Sequence, residues 1–199
     1  MADRSVIAGE AVRAADLLGW PLFVGNGFLC REVMALAAPG QRPVLPLQGG
    51  MGLATGVAAG YALADRNQGA VVLEGDGNHA MGWGCAQLVG ALGVPVLHLV
   101  GCNGVFRSTG GQQVPHAPSL DLLGAAAATL RYRHNVPVST DDDLARLVDR
   151  LPSIDLPCLV YIAEDTNGQA PPRRDLPSAA YAEHLLSGGI RHPAEGKPC

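Results

Sequence analysis

Gly69-Ala70-Val71-Val72-Leu73-Glu74-Gly75-Asp76-Gly77-Asn78 decides how this chain is read. The apolar run Gly69 to Leu73 has the length and β-branched content of a buried strand. Asp76 therefore falls just past a strand's C-terminal end, and Gly77 and Asn78 open a helix. A second apolar run, Pro95-Val96-Leu97-His98-Leu99-Val100, is followed by Gly101-Cys102-Asn103-Gly104. If the two strands run parallel, Asn103 reaches the same sheet edge as Asp76. A carboxylate and an amide carbonyl are hard oxygen donors, the kind that Mg²⁺ takes up beside a phosphate. Backbone N–H groups at a helix start attract phosphate as well. The two segments together describe a metal–diphosphate clamp. Asp76 as a plain helix cap is the duller reading; the paired Asn103 and the flanking glycines favour the clamp.

Outward from this stretch, helical periodicity alternates with short apolar runs, the pattern of a parallel α/β sheet flanked by helices. Residues 6–18 read as a helix, 21–25 as a strand and 28–37 as the next helix. Residues 44–47 read as a short strand, backed by a small-residue helix over 51–64. After the two strands around Asp76 comes a Gly-rich loop over 101–118. A helix is expected over 120–129, a strand over 130–136 and a last strand over 156–163. Thr140-x-x-Asp143 looks like a capping box for a helix with Leu144, Leu147, Val148 and Leu151 on one face. Residues 1–165 thus form one α/β domain. From 166 to 199 the chain turns polar and Pro-rich (Pro171, Pro172, Pro177) and reads as an arm lying over the domain or a partner.

At 199 residues the chain has volume for one ordinary core. A formal charge of -4 with only 14 Lys plus Arg argues against nucleic acid and membrane surfaces as partners. No signal peptide or spanning segment is evident, which implies a cytoplasmic protein. The cysteines at 30, 85, 102, 158 and 199 form no Cys-x-x-Cys pair, so zinc, iron–sulfur and disulfide frameworks find little support. Of the histidines, His79 and His116 fall nearest the motifs. Neither spacing suggests a metal site, and His79 reads as a first-turn helix residue.

Gly-Asp-Gly followed one βα unit later by Asn resembles the thiamine diphosphate-binding signature. Gly27-Phe28-Leu29-Cys30-Arg31-Glu32, Leu45-Pro46-Leu47-Gln48-Gly49-Gly50-Met51-Gly52 and Ser108-Thr109-Gly110-Gly111-Gln112 occur in order around it. Together they resemble the phosphonopyruvate decarboxylases and the β subunits of the sulfopyruvate decarboxylases. Arg173-Arg174-Asp175-Leu176-Pro177 looks like a worn form of the segment that closes those proteins. The likeness runs from about Asp16 to Leu186.

The resemblance implies thiamine diphosphate and Mg²⁺ as cofactors. Asp76, Asn103 and the backbone carbonyl of Val105 would hold the metal. Gly75, Gly77 and Asn78 at the helix start would meet the diphosphate, as would Asn26 in Gly25-Asn26-Gly27, which can equally cap the helix at Phe28. Gly49, Gly50 and Met51 match the loop under the cofactor, with Met51 propping its rings into a bent form; a core filler is the alternative. Ser108 and Thr109 would line the mouth of the site. Arg107 is a candidate for an anionic substrate group, although a surface Arg is commoner. Family members carry Asn or Asp just before the liganding Asn; this chain has Cys102.

The family places the cofactor between two domains, and the second presents a glutamate to the aminopyrimidine ring. This chain matches only the diphosphate half. The implied partner is a separate pyrimidine-binding subunit in an α2β2 unit or a multiple of it. The implied reaction is decarboxylation of a 2-oxoacid, phosphonate- or sulfonate-substituted at C3, to an aldehyde. A carboligase, a subunit of a 2-oxoacid:ferredoxin oxidoreductase and a degenerate scaffold subunit are the alternative readings. Intact Asp76 and Asn103 argue against the last.

Overall fold

Six short strands carry the architecture: β1 (Leu22–Gly25), β2 (Val44–Leu47), β3 (Ala70–Gly75), β4 (Val96–Cys102), β5 (His134–Val138) and β6 (Cys158–Ala163). All pair parallel, in the order β2-β1-β3-β4-β6-β5. The computed structural model describes residues 1–36, 43–65, 68–115, 128–167 and 169–172. Strands β1, β3, β4 and β6 are almost wholly buried. Continuous burial is what a parallel sheet covered on both faces requires, and it explains why these strands are unbroken apolar runs.

Helices α1 (Arg4–Leu18), α2 (Phe28–Leu36) and α6 (Asp141–Asp149) cover one face. Ile7, Ala8, Ala11, Ala14 and Ala15 of α1 join Val33 of α2, Leu144 and Val148 of α6, and the strand residues Leu22, Val24, Leu73, Leu97, Leu99 and Val160 in one core. The alanine-lined side of α1 lets its backbone lie close to the sheet. Helices α3 (Ala54–Ala64) and α5 (Trp83–Leu92) cover the other face, with Ala58, Ala62, Ala86 and Val89 against Phe23, Val72, Val96 and Val100. The short helix α4 (Asp76–Met81) joins β3 to α5 through Gly82.

The Thr140 capping box forms as expected: its hydroxyl oxygen accepts from the Asp143 N–H at 3.2 Å. Two expectations are displaced. The strand expected over 130–136 begins at His134, because Leu130 is fully buried in a 3₁₀ turn (Ala128–Leu130) packed in the second core. The helix expected from Met51 begins at Ala54, after a turn in which Gly49 and Gly52 take φ of 78° and 80°. Most of the helix expected over 120–129 lies outside the described residues, as do His116 and the segment 173–177. The start of the arm is described: the Gln169 carbonyl accepts from Arg4, and the Pro171 carbonyl from Arg31 at 3.0 Å. Among the described residues no helix is long and apolar enough to cross a membrane.

Candidate functional site

The strand order reverses at β1: the chain leaves it for β2 on one side and returns to β3 on the other. Ligands of open α/β sheets collect at the carboxyl ends of the strands flanking such a switch point. Asn26 and Gly27 follow β1 there, and Asp76 and Gly77 follow β3. Strand β4 pairs with β3 along its length, Gly75 opposite Gly101, so Asn103 emerges beside Asp76. The elements lie close together. A Cβ at Gly77 would run into the Phe106 ring, and one at Gly82 into the backbone of Gly52.

These residues line a cleft with Met51, Val105, Arg107, Ser108 and Glu164. Its volume of about 50 Å³ has room for an ion and a few oxygen atoms. Asp76 Oδ1 accepts from the Gly77 N–H at 2.8 Å. Its Oδ2 accepts from the N–H groups of Asn103 at 3.0 Å and Gly104 at 2.6 Å. Three of the roughly four lone-pair positions of a carboxylate are thereby used, leaving one for a ligand. Asn103 Oδ1 accepts from the Val105 N–H at 3.0 Å, and its Nδ2 donates to Glu164 Oε2 at 3.2 Å. Asn78 ties two loops together: its Nδ2 donates to the Asn26 carbonyl at 2.9 Å and its Oδ1 accepts from the Gly52 N–H at 3.2 Å. The side-chain oxygen of Asn26 is buried with no hydrogen-bond partner.

Two buried carboxylates share this cleft. Burial pushes Asp76 above its ordinary carboxyl value, against the pull of the N–H groups of Gly104, Gly77 and Asn103. Burial also raises Glu164, with the bond from Asn103 and the charge of Arg4 opposing and the charge of Asp76 adding to it. Arg4 Nη1 stands 3.8 Å from Glu164 Oε1 while its Nε donates to Glu32 at 3.1 Å. Hard oxygen donors of Asp76, Asn103 and Glu164 face the cleft, with Arg107 also on its wall. That arrangement fits a divalent cation.

The sequence matches the thiamine pyrophosphate enzyme C-terminal TPP-binding domain over residues 31–160. The chain belongs to this family. The thiamine pyrophosphate-binding domain is 38% identical over 116 residues to the phosphonopyruvate decarboxylase of Streptomyces viridochromogenes, matching 58% of this chain and 28% of that protein. Two solved structures share its fold. One is the 2-oxoglutarate:ferredoxin oxidoreductase from Magnetococcus marinus with 2-oxoglutarate, coenzyme A and succinyl-CoA bound (TM-score 0.61, 18% identity, 81% of this chain and 60% of that one). The other is a putative thiamin diphosphate-dependent enzyme from Mycobacterium smegmatis (TM-score 0.60, 19% identity, 79% of this chain and 31% of that one). The domain therefore spans less than a third of the curated relative's length.

Of the residues singled out in the sequence, the cleft gathers Asn26, Met51, Gly75, Asp76, Gly77, Asn78, Asn103, Val105, Arg107 and Ser108. Gly49, Gly50 and Thr109 are not among its walls; the Thr109 hydroxyl turns back to the Phe106 carbonyl at 3.3 Å. Helix α4 begins at Asp76 itself, one residue earlier than expected, with Gly75 as its cap. Arg31 and Glu32 do not pair with each other. Arg31 lies over the Phe28 ring, as Arg4 does, and Glu32 holds Arg4.

Glu164 was not legible, because nothing in its spacing links it to Asn103; the pairing of β6 with β4 brings it there. His79 falls on the first turn of α4, as read from the sequence, and it is also a core residue. His79 is 1% exposed and packs edge-on against His98 and Tyr161. Glu74 lies between the two histidines, its Oε1 accepting from the Thr55 hydroxyl at 3.0 Å and lying 2.9 Å from His98 Nε2. Burial opposes the charge on Glu74, but the histidine contacts outweigh it and bring the carboxyl down to about 2. Burial also keeps His79 below its usual value, hence neutral.

Proposed function

We propose that this domain is the diphosphate- and Mg²⁺-binding half of a heteromeric thiamine diphosphate-dependent 2-oxoacid decarboxylase. The observation that carries the reading is the junction of Asp76 and Asn103 at neighbouring strand ends, beside the unpartnered oxygen donor of Asn26. Asp76, Asn103 Oδ1 and the Val105 carbonyl hold the Mg²⁺. The Val105 carbonyl already accepts from the Arg107 N–H at 2.9 Å, which leaves its second lone pair for the ion. The N–H groups at the start of α4 and the Asn26 side chain meet the diphosphate. Ser108 stands at the mouth.

When bound, the cofactor supplies an electron sink for the pair released as CO₂ leaves the 2-oxoacid. This chain's share is positioning. Met51, on the wall of the cleft, props the rings, and Arg107 receives an anionic C3 substituent, phosphonate or sulfonate. The 38% identical phosphonopyruvate decarboxylase supports that substrate class.

The partner is a pyrimidine-binding subunit, assembled as α2β2 or a multiple. One observation supports it: large apolar side chains near the cleft are uncovered. Leu53 is 54% exposed, Val57 46% and Met81 62%, on elements that flank Met51. Apolar surface of this kind marks an interaction face.

The test is to assay the purified chain with thiamine diphosphate, Mg²⁺, and 3-phosphono- and 3-sulfopyruvate, with and without a pyrimidine-domain subunit. Aldehyde release only with both subunits is the expected result. Robust decarboxylation by the lone chain overturns the half-site reading. Acyloin, or acyl transfer with a reduced acceptor, assigns the other reactions of this cofactor.

A further inference from the structure

Beneath the cleft, on the sheet face covered by α3 and α5, a charged residue and two imidazoles sit inside an otherwise apolar core. Glu74 (β3), His79 (α4) and His98 (β4) are each at most 1% exposed. Their candidate ligand atoms, one per residue, lie within 4.8 Å of one another. We propose that these three residues form a second, interior metal site for an ion of the Zn²⁺ class. The proposal does not depend on the function assigned to the cleft.

Hydrogen bonding alone accounts for only part of the cluster. His98 is satisfied at both nitrogens, by Glu74 at 2.9 Å and by the Tyr132 hydroxyl at 3.0 Å. His79 Nδ1 stands 3.6 Å from Glu74 Oε1, too far for a hydrogen bond, and has no partner; Glu74 Oε2 also has none. Unsatisfied atoms this deep call for a ligand, a water or an ion. A water would satisfy one or two of them. An ion takes the lone pairs of all three groups together.

The surroundings point to the ion. Tetrahedral ligands about 2.0–2.2 Å from Zn²⁺ lie roughly 3.3–3.6 Å from each other. The Glu74–His79 separation of 3.6 Å is on that scale, and the 2.9 Å between Glu74 and His98, a hydrogen bond in the metal-free chain, would open by roughly 0.5 Å when the ion replaces the shared proton. Thr55 Oγ1, 3.0 Å from Glu74 Oε1 and 3.3 Å from His98 Nε2, stands close enough to complete the shell. A metal-bound histidine donates its other ring N–H to a fixed acceptor, which holds the tautomer and the ring plane. Both histidines here have one: Tyr161 Oη lies 3.0 Å from His79 Nε2, and Tyr132 Oη 3.0 Å from His98 Nδ1. Two imidazoles and one carboxylate are a borderline-soft set, unlike the all-oxygen set at Asp76, so the two sites select different ions. Because the three residues are at most 1% exposed, the ion would enter as the chain folds.

The experiment measures metal in the full chain, refolded from denaturant with Zn²⁺ and then gel-filtered into metal-free buffer. Plasma emission is expected to find about one zinc per chain, and X-ray absorption to show two imidazole ligands with oxygen. His79→Gln should lose it to below about a tenth of an equivalent. Tyr161→Phe should weaken zinc affinity by roughly 10–100-fold. Asp76→Asn should keep the full zinc content. A folded wild-type chain without zinc overturns the proposal, as does zinc that survives His79→Gln or disappears in Asp76→Asn. Should His79→Gln fail to fold, the wild-type absorption spectrum decides by its imidazole count.

Discussion

Replacing Asp76 separates what its carboxylate does for the loops from what it does for a ligand. The side chain is 3% exposed and accepts three backbone N–H bonds, from Gly77, Asn103 and Gly104. A hydrogen bond to a charged group contributes about 1.5–3 kcal/mol, and a stranded buried N–H costs a similar amount. The desolvation that raises the Asp76 carboxyl offsets part of this gain. Asp76→Ala should therefore destabilise the metal-free chain by about 2–4 kcal/mol, a large share of a typical 5–15 kcal/mol. Asp76→Asn is the sharper probe. Its oxygen can still serve both Asn103 and Gly104, so one bond is lost while a buried charge is relieved; the cost should be about 1 kcal/mol or less. Yet Asn removes the anionic ligand and should abolish Mg²⁺-dependent thiamine diphosphate binding as fully as Ala does. Urea unfolding of the metal-free variants gives the first quantity and calorimetry on the assembled complex the second. Asp76→Asn with wild-type cofactor affinity would refute the metal assignment. An Asp76→Ala chain within about 0.5 kcal/mol of wild type would refute the claim that this carboxylate pins the loops.

Three further outcomes are expected. Met51→Ala should leave cofactor affinity within a few-fold of wild type while lowering the rate constant of the assembled enzyme at least tenfold; single-turnover kinetics separates the two, and unchanged turnover would make Met51 simple packing. Burial raises the thiols of Cys30 to about 11 and Cys158 to about 12, so at neutral pH they stay protonated and should resist iodoacetamide in the folded chain, whereas unfolding should expose both to alkylation, as mass spectrometry can read out. Asp3 caps α1 by accepting from the Ser5 N–H, and hydrogen bonds from Ser5 hold its carboxyl below the usual value. Its contribution is present above the ordinary carboxyl range and is lost as pH falls through the lowered value; Asp3→Ala should cost about 0.5–2 kcal/mol at pH 7, and the gap to wild type should close in acid.

The sheet was legible where burial on both faces wrote continuous apolar runs, as in β1, β3, β4 and β6. At β5, an edge strand whose residues are mostly exposed, no such run marks the bounds, and the strand expected over 130–136 overlaps it only at 134–136. The clamp was legible because Asp76 and Asn103 each follow such a run directly, so a parallel register suffices to bring them together. Glu164 follows a run as well, but its role depends on β6 lying next to β4 rather than next to β5 alone, an order that sequence spacing does not encode. In the sequence Glu74 falls just past the run Gly69 to Leu73, and His98 lies inside the run Pro95 to Val100, with no role assigned to either. A signal was present: an ionisable group on the buried face of a central strand must find partners. Val72 lies opposite His98 and Glu74 opposite Val100, which puts both polar side chains on one face a single step apart.

The same positions explain why one edge of the sheet can serve a ligand while the face behind it stays rigid. Asp76 and Asn78 point out of the carboxyl edge, but their short helix α4 has only Asp76, Gly77, Asn78, His79, Ala80 and Met81 to anchor it. A helix this short has little intrinsic stability and must be fixed by tertiary contacts. His79 fixes it from below by packing on His98 and bonding Tyr161, and Asn78 fixes it from above through Asn26 and Gly52. Gly82 then lies so close to Gly52 that a Cβ at either would strike the other's backbone. The loop carrying Met51 and the helix carrying Asp76 are therefore packed together as one body. The uncovered Leu53, Val57 and Met81 sit on the elements of that same body, so a partner docking there would meet a preformed surface. Its binding energy would then go into enclosing the rings rather than into ordering the loops.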